Sequence, residues 1–338
     1  MDLNTIWFIL IGVLFIGYAI LDGFDLGVGI LHLFAKSDSE KKIGIKAIGP
    51  FWDGNEVWLI TGGGALFAAF PIVYATVFSG FYLALMLVLI ALILRAVSLE
   101  FREKLDSPFS LKMWDTLFGS GSLLAALLFG IAFGNILRGL PINAEGMRDV
   151  SLFGLLNPYS ILVGILTVVL FIMHGAVYLA MKTGGDYQKR LKKWIFKSWI
   201  AYIILYLATT ILTMVISEFL FTGLPANSLF YILFILLIAG MAGIPLMVKK
   251  GRFGIAFLAS SATILAMIGL AAVSAFPALV PSSIDPAYSL TAYNASSSQL
   301  TLKTMLIITL IGMPLVIAYT IIIYRIFKGK VSLDGEGY

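Results

Sequence analysis

The chain has 338 residues, 60% of them hydrophobic and 12% charged, with a formal net charge of +5 and a mean hydropathy of +1.00. Soluble domains carry about 25% charged residues, so this composition leaves too little polar surface to clothe a water-soluble core and calls for a bilayer. The basic surplus sits in short loops between apolar runs, the pattern of membrane orientation and not of nucleic-acid binding. Cysteine is absent, which excludes disulfides, zinc–thiolate sites and iron–sulfur clusters on this chain.

The first apolar run has no basic residue before it, exceeds a leader's apolar region and lacks a following A-x-A site, so it is expected to be a spanning helix and not a cleaved signal. A crossing takes roughly 20 apolar residues. On that measure the chain is an all-α integral membrane protein, 1–338 forming a single transmembrane domain. About nine helices are predicted, near 5–33, 50–70, 74–98, 114–137, 157–181, 198–220, 228–248, 253–276 and 303–327.

Lysine and arginine mark alternate loops. The loop after the first helix holds Lys36, Lys41, Lys42 and Lys46; the loop after the third holds Arg102, Lys104 and Lys112. After the fifth come Lys182, Lys189, Arg190, Lys192, Lys193 and Lys197, after the seventh Lys249, Lys250 and Arg252, and in the tail Lys328 and Lys330. The other loops are poor in base: 71–73 and 221–227 have none, 277–300 has only Asp285, and in 138–156 Arg138 and Arg148 are balanced by Glu145 and Asp149. The expected topology is an outside N-terminus, a cytoplasmic C-terminus and an odd number of spans.

The chemistry-bearing residues begin in the first helix, in Leu21-Asp-Gly-Phe-Asp-Leu-Gly-Val-Gly29. A charge at the bilayer centre costs roughly 2.5–3.5 kcal/mol, so Asp22 and Asp25 must face the protein interior, pair, or be neutral. Their i,i+3 spacing puts them on one face, in the cytoplasmic half of the span. They read either as a proton path from the cytoplasm or as structural polar contacts near the helix end. Gly23, Gly27 and Gly29 form a small-residue face for close helix packing, and this face is a candidate contact with a partner subunit.

A second cluster, Gly49-Pro-Phe-Trp-Asp-Gly-Asn-Glu-Val-Trp-Leu59, opens the second helix. Asp53 suits a first helical turn on dipole grounds alone, and Trp52 and Trp58 suit an interface. The density of acids there, with Glu56 one turn after Asp53, points instead to an aqueous entry for protons at the level of Asp22 and Asp25. Gly62-Gly-Gly64 lies inside an apolar helix and reads as close packing. Arg95 and Arg102, with Glu100, close the third helix and read as interfacial anchors. Asn135 is expected to make an interhelical hydrogen bond, and Glu218 to be solvated at the outer end of the sixth helix. The two histidines, His32 and His174, read as packing residues and not as haem ligands.

Several strings resemble subunit II of cytochrome bd quinol oxidase: Asp22-Gly-Phe-Asp-Leu-Gly-Val-Gly29, Trp52-Asp-Gly-Asn-Glu-Val-Trp58, Gly63-Gly-Ala-Leu-Phe-Ala-Ala-Phe-Pro71 and Phe78-Ser-Gly-Phe-Tyr82. Phe133-Gly-Asn135, Phe276-Pro-Ala-Leu-Val-Pro-Ser-Ser283 and Ser296-Ser-Ser-Gln-Leu-Thr-Leu302 follow in order. The resemblance runs from near residue 10 to near 320; the stretch 180–260 matches only as hydrophobic helices.

The resemblance implies nine helices and a larger partner, subunit I, that holds the quinol site, two b-type haems and one d-type haem. It implies no cofactor and no metal on this chain, and often a small single-helix subunit. The complex would oxidise quinol and reduce dioxygen to water in a bacterial or archaeal plasma membrane, surrounded by lipid. Carried over by motif, Asp25 and Asp53 are proton-path candidates, followed by Glu56 and Asp22. A secondary transporter is the main rival, since transporters also hold intramembrane acids, but they place them near the midplane in paired broken helices. A purely structural scaffold is the third reading.

Overall fold

The structure is a computed structural model describing residues 2–104, 107–147, 151–222 and 227–331. Arg148 and Asp149, counted above in the loop balance, lie outside the described residues, as does part of the loop 221–227. Twelve helices are described: α1 (Leu3–His32), α2 (Asp38–Ile48), α3 (Trp52–Ala69), α4 (Pro71–Gly80), α5 (Tyr82–Phe101), α6 (Pro108–Arg138), α7 (Leu152–Leu155), α8 (Pro158–Lys182), α9 (Gly185–Ile216), α10 (Ser228–Lys249), α11 (Phe253–Ala275) and α12 (Gln299–Ile326). Two short hairpins join them, Ile142–Asn143 with Gly146–Met147 and Ala278–Val280 with Leu290–Thr291.

Eight of these helices are long and apolar enough to cross a membrane: α1, α5, α6, α8, α9, α10, α11 and α12. The 18-residue α3 falls short on composition, because its first turns carry Asp53, Asn55 and Glu56. The third predicted helix, 74–98, is divided. Pro71, which lacks an N–H, opens α4 after Phe70, and the chain breaks again at Phe81 before α5. Phe70 and Phe81 are both buried and anchor the two breaks. Two predicted loops are partly helical. Residues 38–48 form the amphipathic α2, N-capped by the Ser37 side chain, and α9 starts at Gly185, so its basic residues stand on a helix.

α1 is the hub, packing against α3, α6, α8 and α11. Its small-residue face is occupied within this chain, which corrects the expectation that it meets a partner subunit. A Cβ at Gly27 would lie 1.9 Å from the Phe171 carbonyl oxygen, and one at Gly175 would lie 2.6 Å from the Gly27 backbone. Here α1 and α8 cross backbone against backbone. A Cβ at Gly23 would meet the Phe171 ring at 2.8 Å, and one at Gly29 the Ser122 hydroxyl at 2.0 Å. Of the second helix's glycines, Gly62 faces Phe15, whereas Gly63 and Gly64 have nothing within 4 Å of a built Cβ; close packing holds for the first alone.

The two ends of the bundle are chemically distinct. At one end Asp115 of α6 gathers three cationic or imidazole groups: Arg102 Nε (2.5 Å), His32 Nε2 (2.7 Å) and Lys41 Nζ (2.7 Å). Arg102 also donates to Asp38 at 2.7 Å and holds that carboxyl below its ordinary range. So Arg102, expected as an interfacial anchor, is buried and paired. Lys182 donates to the Phe327 carbonyl at 2.6 Å, and Val331 N–H to the Lys182 carbonyl at 2.9 Å, tying the end of α12 to α8.

Neutral polar groups knit the opposite end. Asn4 donates to the Ala292 carbonyl (2.9 Å) and Ser296 Oγ (2.7 Å) and accepts from Gln299 (2.8 Å). Ser297 donates to the Ala68 carbonyl at 2.6 Å. Asn135 donates to the Ile131 and Leu155 carbonyls at 2.9 and 2.8 Å and accepts from Asn157 at 2.9 Å, linking α6 to the entry of α8. Glu218 falls in a short 3-10 turn after α9.

The α1–α8 crossing has a direct consequence. Gly27→Ala should lower the yield of folded chain and its thermal stability in detergent, by about 1–3 kcal/mol or more for overpacking a closed contact. Gly12→Ala on the same helix, with nothing within 4 Å of the added methyl, should leave both near wild type.

Candidate functional site

The site is built where α1, α3 and α5 meet in the bundle half nearer the basic end. Its centre is Arg95, with no exposed surface, which corrects its reading as an interfacial anchor. Arg95 Nη2 lies 2.6 Å from Asp22 Oδ1 and Nη1 lies 3.1 Å from Asp22 Oδ2, a two-pronged pair. Nη1 also donates to Glu56 Oε1 at 2.8 Å. Asp25 stands further off, its Oδ2 at 4.0 Å from Nη2. That oxygen instead accepts from Asn55 Nδ2 at 2.8 Å. Asn55 Nδ2 also reaches the Leu21 carbonyl at 3.3 Å, and its Oδ1 accepts from Tyr324 Oη of α12 at 3.3 Å.

The local sequence explains each placement. The i,i+3 pair Asp22 and Asp25 leaves α1 on one face, and Asn55 and Glu56 leave the first turns of α3 toward it. Arg95 comes from α5, in the middle of an apolar stretch. Three carboxyls therefore surround one guanidinium. Asp22 and Asp25 have no exposed surface; the Glu56 side chain, 20% exposed, is the member of the group in touch with the surroundings. Three buried polar atoms around the cluster make no hydrogen bond: Tyr18 Oη, Asp25 Oδ1 and Arg95 Nε. Tyr18 sits one turn from Asp22 on α1.

Asp53 is not part of the buried group. It is exposed in the first turn of α3, one helical turn from Glu56. Trp58 lies over Gly17, where a Cβ would be 2.3 Å from the indole. The glycine thus seats the tryptophan against α1. Gly23 and Gly27 face α8, and Gly29, on another side of α1, faces α6.

The histidines have separate surroundings. His174 is fully buried, with Nδ1 2.7 Å from Ser260 Oγ and Nε2 3.0 Å from the Ile20 carbonyl, and its ring stacks on Phe257 at 4.7 Å. Both nitrogens are engaged, so the ring does not fit an axial haem ligand. His32 spends Nε2 on Asp115, and its Nδ1 is buried. Among the described residues, no group of three or more His, Cys, Asp or Glu is placed to hold a metal ion.

Arg95, Asn55 and Tyr324 are the site residues that sequence reasoning undervalued. A signal for Arg95 was present, since it is the one base inside the run Tyr82–Leu99; its nearness to the basic loop made an anchor the simpler reading. Tyr324 had none, because its contact depends on α12 returning beside α3.

The model of the family described as cytochrome bd terminal oxidase subunit II matches residues 3–327. A Haemophilus influenzae protein, a probable cytochrome oxidase subunit 2, is 37% identical over 98% of this chain and 96% of its own length. Cytochrome bd ubiquinol oxidase subunit 2 of Bacillus subtilis is 37% identical over 98% and 97%. Cytochrome bd-I ubiquinol oxidase subunit 2 of Escherichia coli is 36% identical over 98% and 96%. Among solved structures, a chain of the bd oxidase from Geobacillus thermodenitrificans superposes with a TM-score of 0.78 at 17% identity, covering 97% of this chain and 99% of that one, and shares its fold. This multi-pass membrane chain belongs to the cytochrome bd terminal oxidase subunit II family.

Proposed function

We propose that this chain is the haem-free second subunit of a complex that oxidises quinol and reduces dioxygen to water, in a bacterial or archaeal plasma membrane. The observation that carries this reading is the family match over residues 3–327, together with relatives named as ubiquinol oxidase subunits. Two b-type haems and a d-type haem on subunit I would supply the electron transfer and oxygen chemistry. The engaged nitrogens of His174 support a chain without haem. A small single-helix subunit would complete the assembly.

On this reading the chain forms a single transmembrane domain of nine crossings, with an outside N-terminus and a cytoplasmic C-terminus. The ninth crossing is α3. Its first turn holds acids beside the basic-end segment that follows α2, and its last residues bond Ser297 at the neutral end, so it runs the length of the bundle despite its low hydropathy. The concentration of lysine and arginine at one end supports placing that end in the cytoplasm.

The chain's own chemistry would be proton uptake. Asp53 is exposed, Glu56 is part-exposed one turn on, and Asp22 and Asp25 are closed off behind Arg95. A relay needs a group that can lose and regain a proton. Asp22 and Glu56 are held by the guanidinium, whereas Asp25 has no cation in hydrogen-bonding contact and keeps Oδ1 free. Asp25 is therefore the assigned carrier toward subunit I, Asp53 the entry, and Asp22 and Glu56 the groups that fix the guanidinium.

The two aspartates should then respond differently to the same substitution. Asp25→Asn keeps an acceptor for Asn55, so haem content should stay near normal while oxygen consumption per haem falls about a hundredfold or more, the scale of a lost acid–base group. Asp22→Asn breaks a buried pair, costing about 3–5 kcal/mol, and should lower the yield of assembled complex. Full turnover in Asp25→Asn would end the relay assignment.

Topology is checked by fusions. A phosphatase at the N-terminus and a fluorescent protein at the C-terminus should both be active; both termini reporting from one side would remove α3 from the crossings. In the complex, His174→Ala should leave the haem absorbance bands in place. Loss of a band with assembly intact would put a ligand on this chain.

A further inference from the structure

On α9, Lys193, Lys197, Ile200, Ile204, Leu207, Ile211 and Val215 follow one another at spacings of three or four, which sets them on one continuous stripe. The aliphatic members are all more than half exposed, from 53% at Ile200 to 77% at Val215. The two lysines are exposed, and among the described residues neither forms an ion pair. The stripe is thus cationic at the basic end of the bundle and apolar along the span. Arg190, Lys193, Trp194 and Lys197 also line a shallow, half-open cavity of about 190 Å³. That is smaller than the roughly 300 Å³ at which drug-sized ligand sites begin, and it suits a headgroup whose tails lie outside.

The walls of this cavity are fixed by the fold. Arg190 pairs with Glu40 of α2 and lies over the Tyr187 ring. Its charge is therefore committed, and it serves as a rigid wall. The Trp194 ring rests against Phe34, centroids 5.1 Å apart, at the junction of α1 and α2. Tryptophan at this level is the usual marker of the headgroup boundary. Asp186, the nearest acid on α9 itself, is occupied by Lys189 at 2.8 Å. Lys193 and Lys197 are left as the cations free to take a ligand.

We propose that this face of α9 binds the phosphate of an anionic phospholipid between Lys193 and Lys197, with Trp194 at the glycerol level and the acyl chains along Ile200, Ile204, Leu207 and Ile211. Basic pockets at the ends of spanning helices recognise anionic headgroups by charge, and the apolar stripe below adds area that a free anion cannot use. The site is independent of the proton-relay reading, since it shares no residue with it.

The test uses the purified complex, stripped of endogenous lipid and titrated with phosphatidylglycerol or phosphatidylcholine, with bound lipids counted by native mass spectrometry. Wild type should retain phosphatidylglycerol in preference to phosphatidylcholine. The double variant Lys193→Gln/Lys197→Gln should lose that preference, by roughly fivefold for each lysine removed. Lys189→Gln, off the stripe and tied to Asp186, should behave as wild type. Millimolar inorganic phosphate should compete poorly; equal competition would make this a free-anion site and overturn the lipid assignment. Unchanged phosphatidylglycerol retention in the double variant would also overturn it, and if accompanied by loss of subunit I would reassign the stripe to a protein contact.

Discussion

A guanidinium without exposed surface, set in an apolar bundle, has to be met by anions, and at Arg95 that requirement organises three helices. One charge at mid-bilayer costs roughly 2.5–3.5 kcal/mol, so Arg95 and the carboxyls of Asp22 and Glu56 are tolerable only together. The two-pronged contact to Asp22 fixes α5 against α1, and the contact to Glu56 draws the polar first turns of α3 into the same junction. α3 is thereby held to α1 and α5 through Glu56 and Asn55. Asn55 extends the network to Tyr324, one of the ties that hold α12 on this side.

The same arrangement distributes roles among acids that look alike in sequence. Asp22 and Asp25 are three residues apart on one helix face, yet one is clamped by the cation, whereas the other stands 4.0 Å from it and takes its hydrogen bond from a neutral amide. A clamped carboxylate stabilises the junction. A carboxyl outside the clamp can change its protonation without breaking the junction. On the proposed function, the clamped Asp22 holds the junction and the unclamped Asp25 carries the proton.

Much of the fold was legible because a bilayer simplifies the code: apolar runs of about 20 residues mark crossings, and the ladder of lysine and arginine marks one end. The same code failed where tertiary contacts replaced hydropathy. The third predicted span is broken between Gly80, the last residue of α4, and the buried Phe81, and a single glycine inside an apolar run does not by itself mark a break. Arg95 and Arg102 were misread for one reason: a base near a helix end looks the same in sequence whether it snorkels to water or turns inward to a carboxylate. The Gly23–Gly29 face was recognised as a packing face, but nothing in one sequence distinguishes a partner inside the chain from one outside it. Asp22, Asp25 and Glu56 were legible as a group because intramembrane acids are rare. Asp53 was grouped with them by spacing, although at the first turn of α3 it points outward.

The division between a clamped and an unclamped carboxyl is the central claim, and infrared difference spectroscopy of the complex between its reduced and oxidised states reads it most directly. The account predicts a protonated-carboxyl stretch that changes with the redox state and disappears in Asp25→Asn, while the bands of the clamped carboxylates persist. A difference spectrum identical in wild type and Asp25→Asn would contradict it.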